Sequence, residues 1–329
     1  MARQPVLGDQ VASSEVARFG ILPAATAPRP SRLRTVWERD KHLYLLFFLP
    51  FVYFAIFHYA PLYGVLLAFK DYSVGKGILG SDWIGLQNFR NFMYDSVAWR
   101  AVRNTFIINI YQIAFGFPIP IILAILFNEV RNGLLRKFAQ SASYLPHFIA
   151  PVVVAGMITT FLAADGILNR IVSAFGINPQ LWLLKPEWFR TIFVSSGIWQ
   201  SAGWSAIIFL AAIAAVDQSL YEAAYIDGAN RWERIIHITI PSIMPTIVIM
   251  FLLRLGSILT LDYQKVLLLY SGTTRETGDV LGTYIFRRGI EGADFSYATT
   301  IGLIQSVVGL VFVVTSNWMA RRLSDTSLW

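Results

Sequence analysis

The chain has 329 residues, of which 55% are hydrophobic and only 14% are charged. Soluble domains carry about 25% charged residues, so the composition excludes disordered proteins, coiled coils and ordinary cytosolic enzymes. The absence of cysteine excludes disulfide frameworks, iron–sulfur clusters and thiol catalysis. The net charge of +7 is spread along the chain, which argues against a nucleic-acid partner. Together with a mean hydropathy of +0.54, these numbers are typical of an integral membrane protein.

Six stretches without Asp, Glu, Lys or Arg are long enough to cross a bilayer, which takes about 20 apolar residues in a helix. The fifth stretch, 235–253, is the shortest, and we expect its helix to continue past Arg254 to Leu261. The predicted fold is therefore all-α and polytopic, with a transmembrane domain over 43–320. Its six helices are predicted at about 43–69, 104–128, 138–164, 191–216, 238–261 and 295–320.

Tails of 1–42 and 321–329 flank this domain. The first 30 residues lack the apolar stretch of a signal peptide and are predicted to be disordered, and 31–42 suits a short interfacial helix. With both termini inside, 14 Lys and Arg residues lie on cytoplasmic segments and 12 outside, leaving Arg254 uncounted. The positive-inside rule thus favours termini in the cytoplasm.

The connection between the fourth and fifth spans, 217–237, does not have the pattern of an ordinary loop. Helix-forming residues lie on both sides of Asp227-Gly228, and glycine is free to take a positive φ. The pattern predicts a helix–turn–helix at the cytoplasmic surface; the alternative is a hairpin that only links two spans. Four charged side chains would be available there to a partner: Glu222, Asp227, Arg231 and Glu233.

The same segment resembles the EAA loop of ABC importer permeases, whose pattern is Glu-Ala-Ala, two residues, Asp-Gly-Ala and then Ile-x-Leu-Pro. Ile240 replaces the usual leucine. The chain keeps Glu222, Ala223, Ala224, Asp227, Gly228, Ala229, Ile238 and Pro241. Leu49–Tyr72, Trp83–Phe92 and Asn317–Trp329 are similar to the oligosaccharide and polysaccharide branch of carbohydrate permeases. Within that branch they are similar to permease subunits of bacterial alginate importers.

The resemblance implies a coupling helix that seats in a groove of a separate ATPase subunit, so that ATP and Mg bind to partner chains and this chain binds no cofactor. The chain has no Gly-x4-Gly-Lys-Ser/Thr P-loop of its own. The residues assigned to ATPase coupling are Glu222, Ala223, Ala224, Asp227, Gly228, Ala229 and Arg231.

The implied assembly lies in a bacterial inner membrane. It contains a second permease subunit in a heterodimer, two ATPase subunits and an extracytoplasmic solute-binding protein, and it moves a carbohydrate. Three loops are long enough to receive the binding protein: 70–103, 165–190 and 262–294.

Five residues are candidates for the substrate pathway. Trp199, Gln200 and Trp204 lie about one turn apart on the fourth span, and Gln305 lies on the sixth. Polar groups in a span usually face the bundle interior, but the tryptophans could equally be interfacial anchors and the glutamines helix–helix contacts. Arg254 needs compensation, from a carboxylate-bearing sugar, from a carboxylate of the partner permease, or from water if the span is shifted.

Two other functional classes remain open from the sequence. A self-sufficient secondary transporter or channel could use Arg254 as its coupling charge, but it leaves the EAA pattern without a role. An intramembrane enzyme would need catalytic residues, and we predict none because paired carboxylates and a His-Glu-x-x-His motif are missing from the spans. No metal is predicted either, since the four histidines have no ligand spacing.

Overall fold

The computed structural model describes residues 32–323, most of which lie in helices. Within these residues, strand structure is limited to an antiparallel ribbon of β1 (Lys70–Asp71) and β2 (Asp82–Trp83). The predicted all-α polytopic fold is confirmed. The predictions made for 1–31 and 324–329 lie outside the described residues.

The chain divides into two compact units, and the first ends at Tyr63. Its described part runs from α1 (Arg32–Phe54) into a π-helical turn at Ala55–Tyr59. The helical stretch Asp40–Phe69 is 30 residues long and apolar enough to cross a membrane, close to the predicted 43–69. Its large apolar side chains are mostly exposed, as expected of a helix that needs lipid or another chain around it.

The second long helical stretch, Ser96–Glu129, has 34 residues and begins eight residues before the predicted span at 104–128. A π-helical turn, Gln112–Gly116, divides it just before Pro118. Proline has no N–H for the preceding turn, so the helix widens there instead of breaking. The helices of this part are α2 (Gly77–Gly80), α3 (Gln87–Tyr94), α4 (Ser96–Tyr111) and α5 (Pro118–Glu129).

The predicted span at 138–164 is not one straight helix. It is formed by α6 (Gly133–Tyr144), a short 3-10 segment and α7 (Pro151–Phe161), and the two parts are bent by 102°. The residue before a proline avoids the helical region, and Ala150, which precedes Pro151, has ψ 144°. Counted as a broken span this pair brings the described candidates from five to six, so the count of six stays a prediction.

The remaining long stretches are Pro186–Ala214, Arg231–Gly256 and Phe295–Arg322. The first and last lie close to their predicted spans, but the middle one begins seven residues before and ends five residues before the predicted 238–261. It starts inside the predicted loop because the helix passes Pro241 through another π-helical turn. The helices are α8 (Ile167–Ala174), α9 (Pro186–Ala214), α10 (Gln218–Ile226), α11 (Arg231–Arg234), α12 (Ile240–Gly256), α13 (Tyr263–Leu269), α14 (Arg275–Gly278), α15 (Leu281–Phe286) and α16 (Phe295–Leu323).

Helix α9 is the centre of the second unit, and it packs against α5, α6 and α12. One buried cluster joins Phe209 of α9 to Phe127 of α5 and Ile243 of α12. At Gly203 the backbone of α6 approaches so closely that an added Cβ would lie 2.0 Å from the carbonyl oxygen of Ser143. Any larger residue would therefore separate these helices.

At the start of α4, a polar cluster ties distant parts of the chain together. Asp95 caps the helix by accepting from the N–H groups of Val97 and Ala98, and its second oxygen accepts from the Tyr284 and Tyr297 hydroxyls. Burial raises the pKa of Tyr284 to about 12, together with its hydrogen bond to Asp95. The phenols therefore stay protonated and keep donating.

A second carboxylate extends this cluster. Asp279 is 1% exposed and binds both terminal nitrogens of Arg287, at 3.1 and 2.7 Å. The Asn104 side chain donates to the Asp279 carbonyl at 3.0 Å and accepts from Arg190 at 3.0 Å. We call the set the Asp95–Asp279 network; its members are Asp95, Asn104, Arg190, Asp279, Thr283, Tyr284, Arg287 and Tyr297.

Candidate functional site

The segment with the EAA pattern folds as a helix, a turn and a second helix. Asp217 caps α10 by accepting from the Ser219 N–H at 2.9 Å, and the chain reverses at Gly228, whose φ is +80°. Asn230 and Glu233 form a reciprocal capping box that starts α11. The second helix is not a separate interfacial element, because it continues without interruption into the membrane stretch that ends at Gly256.

Most of the predicted coupling residues lie on the open surface of this hairpin, which we define as residues 217–234. Glu222, Ala223, Asp227 and Gly228 are exposed, and Ala224 and Ala229 are half-buried. Two apolar side chains that the sequence analysis did not select are also open, with Tyr225 72% and Ile226 83% exposed. They directly follow the EAA residues on α10. An apolar pair next to the pattern, in a segment predicted to lie at the surface, is the sequence signal that could have found them.

Arg231 differs from the prediction that its charge is free for a partner. It forms an ion pair with the Glu129 carboxylate and donates to the Glu129 carbonyl at 2.7 Å. Since Glu129 ends α5, this contact fixes the hairpin to the second membrane stretch. Glu233 is also engaged, because its carboxylate accepts from the Asn230 N–H at 2.6 Å.

Arg254 lies in the last turn of α12, nearer the helix end than the sequence predicts, because α12 ends at Gly256. Its Nη2 donates to Asn109 Oδ1 at 3.2 Å and to Gln112 Oε1. Both partners are neutral amides, so neither compensates the charge. Gln112 lies within the uncharged run 104–128, which places the guanidinium beside the apolar part of the second membrane stretch.

A cavity of about 340 Å³ opens beside this guanidinium. Polar side chains line part of it, and Arg254 is its only charged lining residue. Both hydrogen bonds that the guanidinium makes with residues 32–323 come from Nη2, so Nε and Nη1 keep donors for a ligand. The lining residues are Gln112, Gly116, Phe117, Pro120, Gly197, Ile198, Ser201, Ser205, Phe209, Met250 and Arg254.

The structure does not bring the other four pathway candidates to this cavity. Gln200 donates to the Ile149 carbonyl at 3.0 Å, where the broken helix frees that oxygen, and Gln305 donates to the Leu259 carbonyl at 3.0 Å. Trp204 stacks on His147 with 4.7 Å between ring centroids. Trp199 lines a separate apolar cavity of about 520 Å³.

The polar residues around Arg254 were missed by the sequence analysis. Asn109, Gln112, Ser201 and Ser205 all lie inside uncharged runs, and an amide in a span is a signal of the kind that singled out Gln200. Their spacing along the chain does not show which of them meet Arg254. Among the residues that the structure describes, no three His, Asp or Glu side chains lie close enough to hold a metal ion.

The chain is similar to a known protein family, to a permease of Bacillus subtilis and to two solved structures. The profile of the family described as "Binding-protein-dependent transport system inner membrane component" matches residues 116–326. The polygalacturonan/rhamnogalacturonan transport system permease protein YteP of Bacillus subtilis (strain 168) is 39% identical over 88% of this chain and 91% of its own length.

Two crystal structures resemble the chain over nearly its whole length. One is of a bacterial ABC transporter involved in the import of the acidic polysaccharide alginate, with 42% identity, a TM-score of 0.82 and coverage of 88% of this chain and 99% of that one. The other is of a bacterial alginate ABC transporter in complex with a periplasmic protein bound to an alginate pentasaccharide. It has 41% identity, a TM-score of 0.83 and coverage of 90% and 100%.

Proposed function

This chain belongs to the family of binding-protein-dependent transport system inner membrane components, and from that premise we propose that it moves acidic oligosaccharides into the cytoplasm. It is the multi-pass permease component of a binding-protein-dependent ABC importer. The substrate class, the energy source and the other subunits are the parts that we propose here.

The observation that supports an acidic substrate is the environment of Arg254. A charged group within a span is costly unless it is compensated, and here it meets two neutral amides beside a cavity. A uronate carboxylate could accept from Nη1 or from Nε, which point to different sides of the guanidinium, while sugar hydroxyls bond Gln112, Ser201 and Ser205. The relatives support this class, since one imports an acidic polysaccharide and another is named for polygalacturonan.

We further propose that hydrolysis of ATP, with Mg, takes place on two separate ATPase subunits, one of which docks on the hairpin of this chain. The exposed Glu222, Asp227, Tyr225 and Ile226 would form the docking face. Movement of α10 would pass to the membrane helices by two connections, the Asn230 cap at the start of the fifth stretch and the Arg231–Glu129 ion pair. Two packed arrangements of the helices, biased by such a partner, are the general basis of switching.

The rest of the assembly follows from this arrangement. Docking of ATPases puts the hairpin in the cytoplasm, and six spans would put both termini there as well. A second permease subunit would complete the passage, and an extracytoplasmic solute-binding protein would deliver the sugar to the loops 70–103, 165–190 and 262–294. The neighbour crystallised with a periplasmic protein supports the last point.

The test compares acidic and neutral sugars in the assembled importer. Arg254→Gln should reduce stimulation of ATP hydrolysis by an oligouronate about 10- to 100-fold, because a hydrogen bond to a charged group contributes about 1.5–3 kcal/mol. A carboxyl-reduced oligosaccharide of the same length should be affected much less, and Arg254→Lys should keep part of the response.

Arg136→Gln is the matched control, because it removes an exposed arginine that lies outside the Arg254 cavity, the hairpin and the three loops proposed to receive the binding protein. It should leave both sugars unaffected. An equal loss for acidic and neutral sugars in Arg254→Gln would overturn the acidic substrate. Failure of the purified chain to retain an ATPase subunit would instead overturn the importer mechanism and favour a self-sufficient transporter.

A further inference from the structure

A basic pocket lies between the hairpin and the end of α5. Its volume is about 270 Å³, and it is lined by polar and charged side chains. Three arginines, Arg131, Arg231 and Arg234, face one carboxylate, that of Glu129. Arg231 already pairs with Glu129, so the pocket has two positive charges in excess. The other lining residues are Asn128, Gln218 and Tyr221.

An apolar groove of about 350 Å³ adjoins this pocket. Glu129 and Arg231 line both, so the ion pair lies where the polar and the apolar surfaces meet. Leu126 of α5 and the half-exposed Ile236 form opposite walls of the groove. Its remaining lining is also apolar: Ile122, Ile125, Trp232, Ile235 and Ile240.

Both cavities lie at the ends of membrane-spanning stretches. Glu129 is the last residue of one stretch and Arg231 is the first of another, so the basic pocket is at the level of lipid headgroups and the groove extends toward the hydrocarbon. Trp232 is 71% exposed beside it, and tryptophan is enriched at this depth. Basic pockets between membrane helices on the cytoplasmic side bind anionic headgroups.

We propose that an anionic phospholipid occupies this paired site, with its phosphate among Arg131, Arg231 and Arg234 and an acyl chain in the groove. This rests on the proposed function only in placing the hairpin at the cytoplasmic face. An acidic side chain of a partner protein would match the charge but would leave the apolar groove empty. A lipid matches both halves, and it would brace α5 against the hairpin. Arg234 also lines the cavity that contains Asp227 and Gly228, so the lipid site adjoins the proposed docking face.

The test measures bound lipid on the full importer by native mass spectrometry. Arg131→Gln combined with Arg234→Gln should weaken retention of phosphatidylglycerol or cardiolipin about 30-fold, since each interfacial arginine contributes about fivefold to anionic lipid binding. Arg231 is left in place so that its ion pair still supports the hairpin. Arg136→Gln combined with Lys137→Gln removes the same charge from exposed positions of the neighbouring helix and should retain the lipid.

A second variant addresses the groove without changing charge. Ile122→Trp, at a half-exposed wall position, should fill the groove and reduce lipid retention to the level of the arginine variant. The importer is then reconstituted in vesicles of phosphatidylcholine, with or without phosphatidylglycerol. Phosphatidylglycerol should raise ATP hydrolysis by the wild type and by the control, but not by either site variant.

Each result separates this inference from the proposed function. Equal lipid retention by wild type and the arginine variant overturns the site, whatever sugar is transported. Loss of the ATPase subunit from the arginine variant, with lipid retention unchanged, identifies a protein partner as the occupant and also overturns it. Lipid retention needs no substrate, so a wrong sugar assignment would leave the measurement unaffected.

Discussion

The hairpin and the Asp95–Asp279 network lie at opposite ends of the same membrane stretch, Ser96–Glu129, and they are built differently. The hairpin is made of caps and turns between near neighbours, and the Arg231–Glu129 ion pair connects it to that stretch. The network joins side chains up to 202 positions apart and buries most of them. Local caps leave side chains free for a partner, whereas buried long-range pairs hold helices together. The difference separates residues for coupling from residues for stability.

The largest effect is expected at the buried carboxylate. Asp279→Asn should lower the free energy of unfolding by about 3–5 kcal/mol, because removing one partner leaves Arg287 charged in a half-buried position. Arg287 is 21% exposed at its side chain, and in the wild type the hydrogen bonds to Asp279 raise its pKa. The variant loses that partner but keeps the charge, because a guanidinium is effectively always protonated in proteins. Thermal unfolding in detergent measures the change.

The matched control is Asp294→Asn in the same loop. Asp294 pairs with Arg288 at 3.4 Å, but the two side chains are 38% and 47% exposed. Exposed pairs contribute at most about 1 kcal/mol. Similar losses for Asp279→Asn and Asp294→Asn would show that burial in the network does not set the energies, and the contrast between the two ends of the stretch would fail.

Lys265 provides a smaller effect with a distinct pH dependence. It is 3% exposed, its Nζ has no hydrogen-bond partner among the described residues, and it lies 5.4 Å from the Phe193 ring centroid. Burial lowers its pKa from 10.5 to about 8. Between these values the unfolded chain holds a proton that the folded chain has lost, so the free energy of unfolding rises with pH across the window.

We therefore expect Lys265→Met to stabilise the protein by up to about 3 kcal/mol at neutral pH. The advantage should shrink as pH rises from about 8 to about 10.5, because wild type then no longer holds the buried charge. Lys137→Met, at an exposed position, should show neither effect. A gain for Lys265→Met that stays constant with pH would mean that packing, and not the charge, sets its contribution.

The sequence predicts a region well when the contacts of that region join residues that are close together in the chain. The hairpin was predictable because the Asp217 cap, the Gly228 turn and the Asn230 box each depend on residues within a few positions. Uncharged runs located Pro186–Ala214 well for the same reason, since hydropathy is a local property. A resemblance to a known family then added a role for the hairpin that the pattern alone left open.

The features that could not be predicted all depend on distant partners. Nothing near Arg254 indicates that Asn109 and Gln112 meet it from another helix. The 102° bend in the third predicted span required knowing that Pro146 and Pro151 break the helix, rather than being accommodated as Pro118 and Pro241 are. Neighbouring helices and side chains help to re-satisfy the backbone groups that a proline frees, and that is a tertiary effect.

The smallest change in stability, and the largest in coupling, is expected at Gly228. An added Cβ would meet nothing within 4 Å, and only the φ of +80° restricts the position. Valine there costs about 1–2 kcal/mol of local strain, whereas asparagine tolerates this conformation. Gly228→Val should therefore distort α10 and raise the ATP hydrolysed per sugar imported, while Gly228→Asn stays near wild type.

Gly228→Asp completes the set, because aspartate has the shape of asparagine and adds a charge on the exposed turn beside Asp227. If turn geometry alone transmits the movement, the Asp variant follows Asn; if charge on the docking face matters, it uncouples like Val. The ATPase subunit retained by each variant is measured in parallel, so that loss of docking is distinguished from loss of coupling. Equal hydrolysis-to-uptake ratios for Val and Asn would show that the left-handed turn is not part of the coupling path.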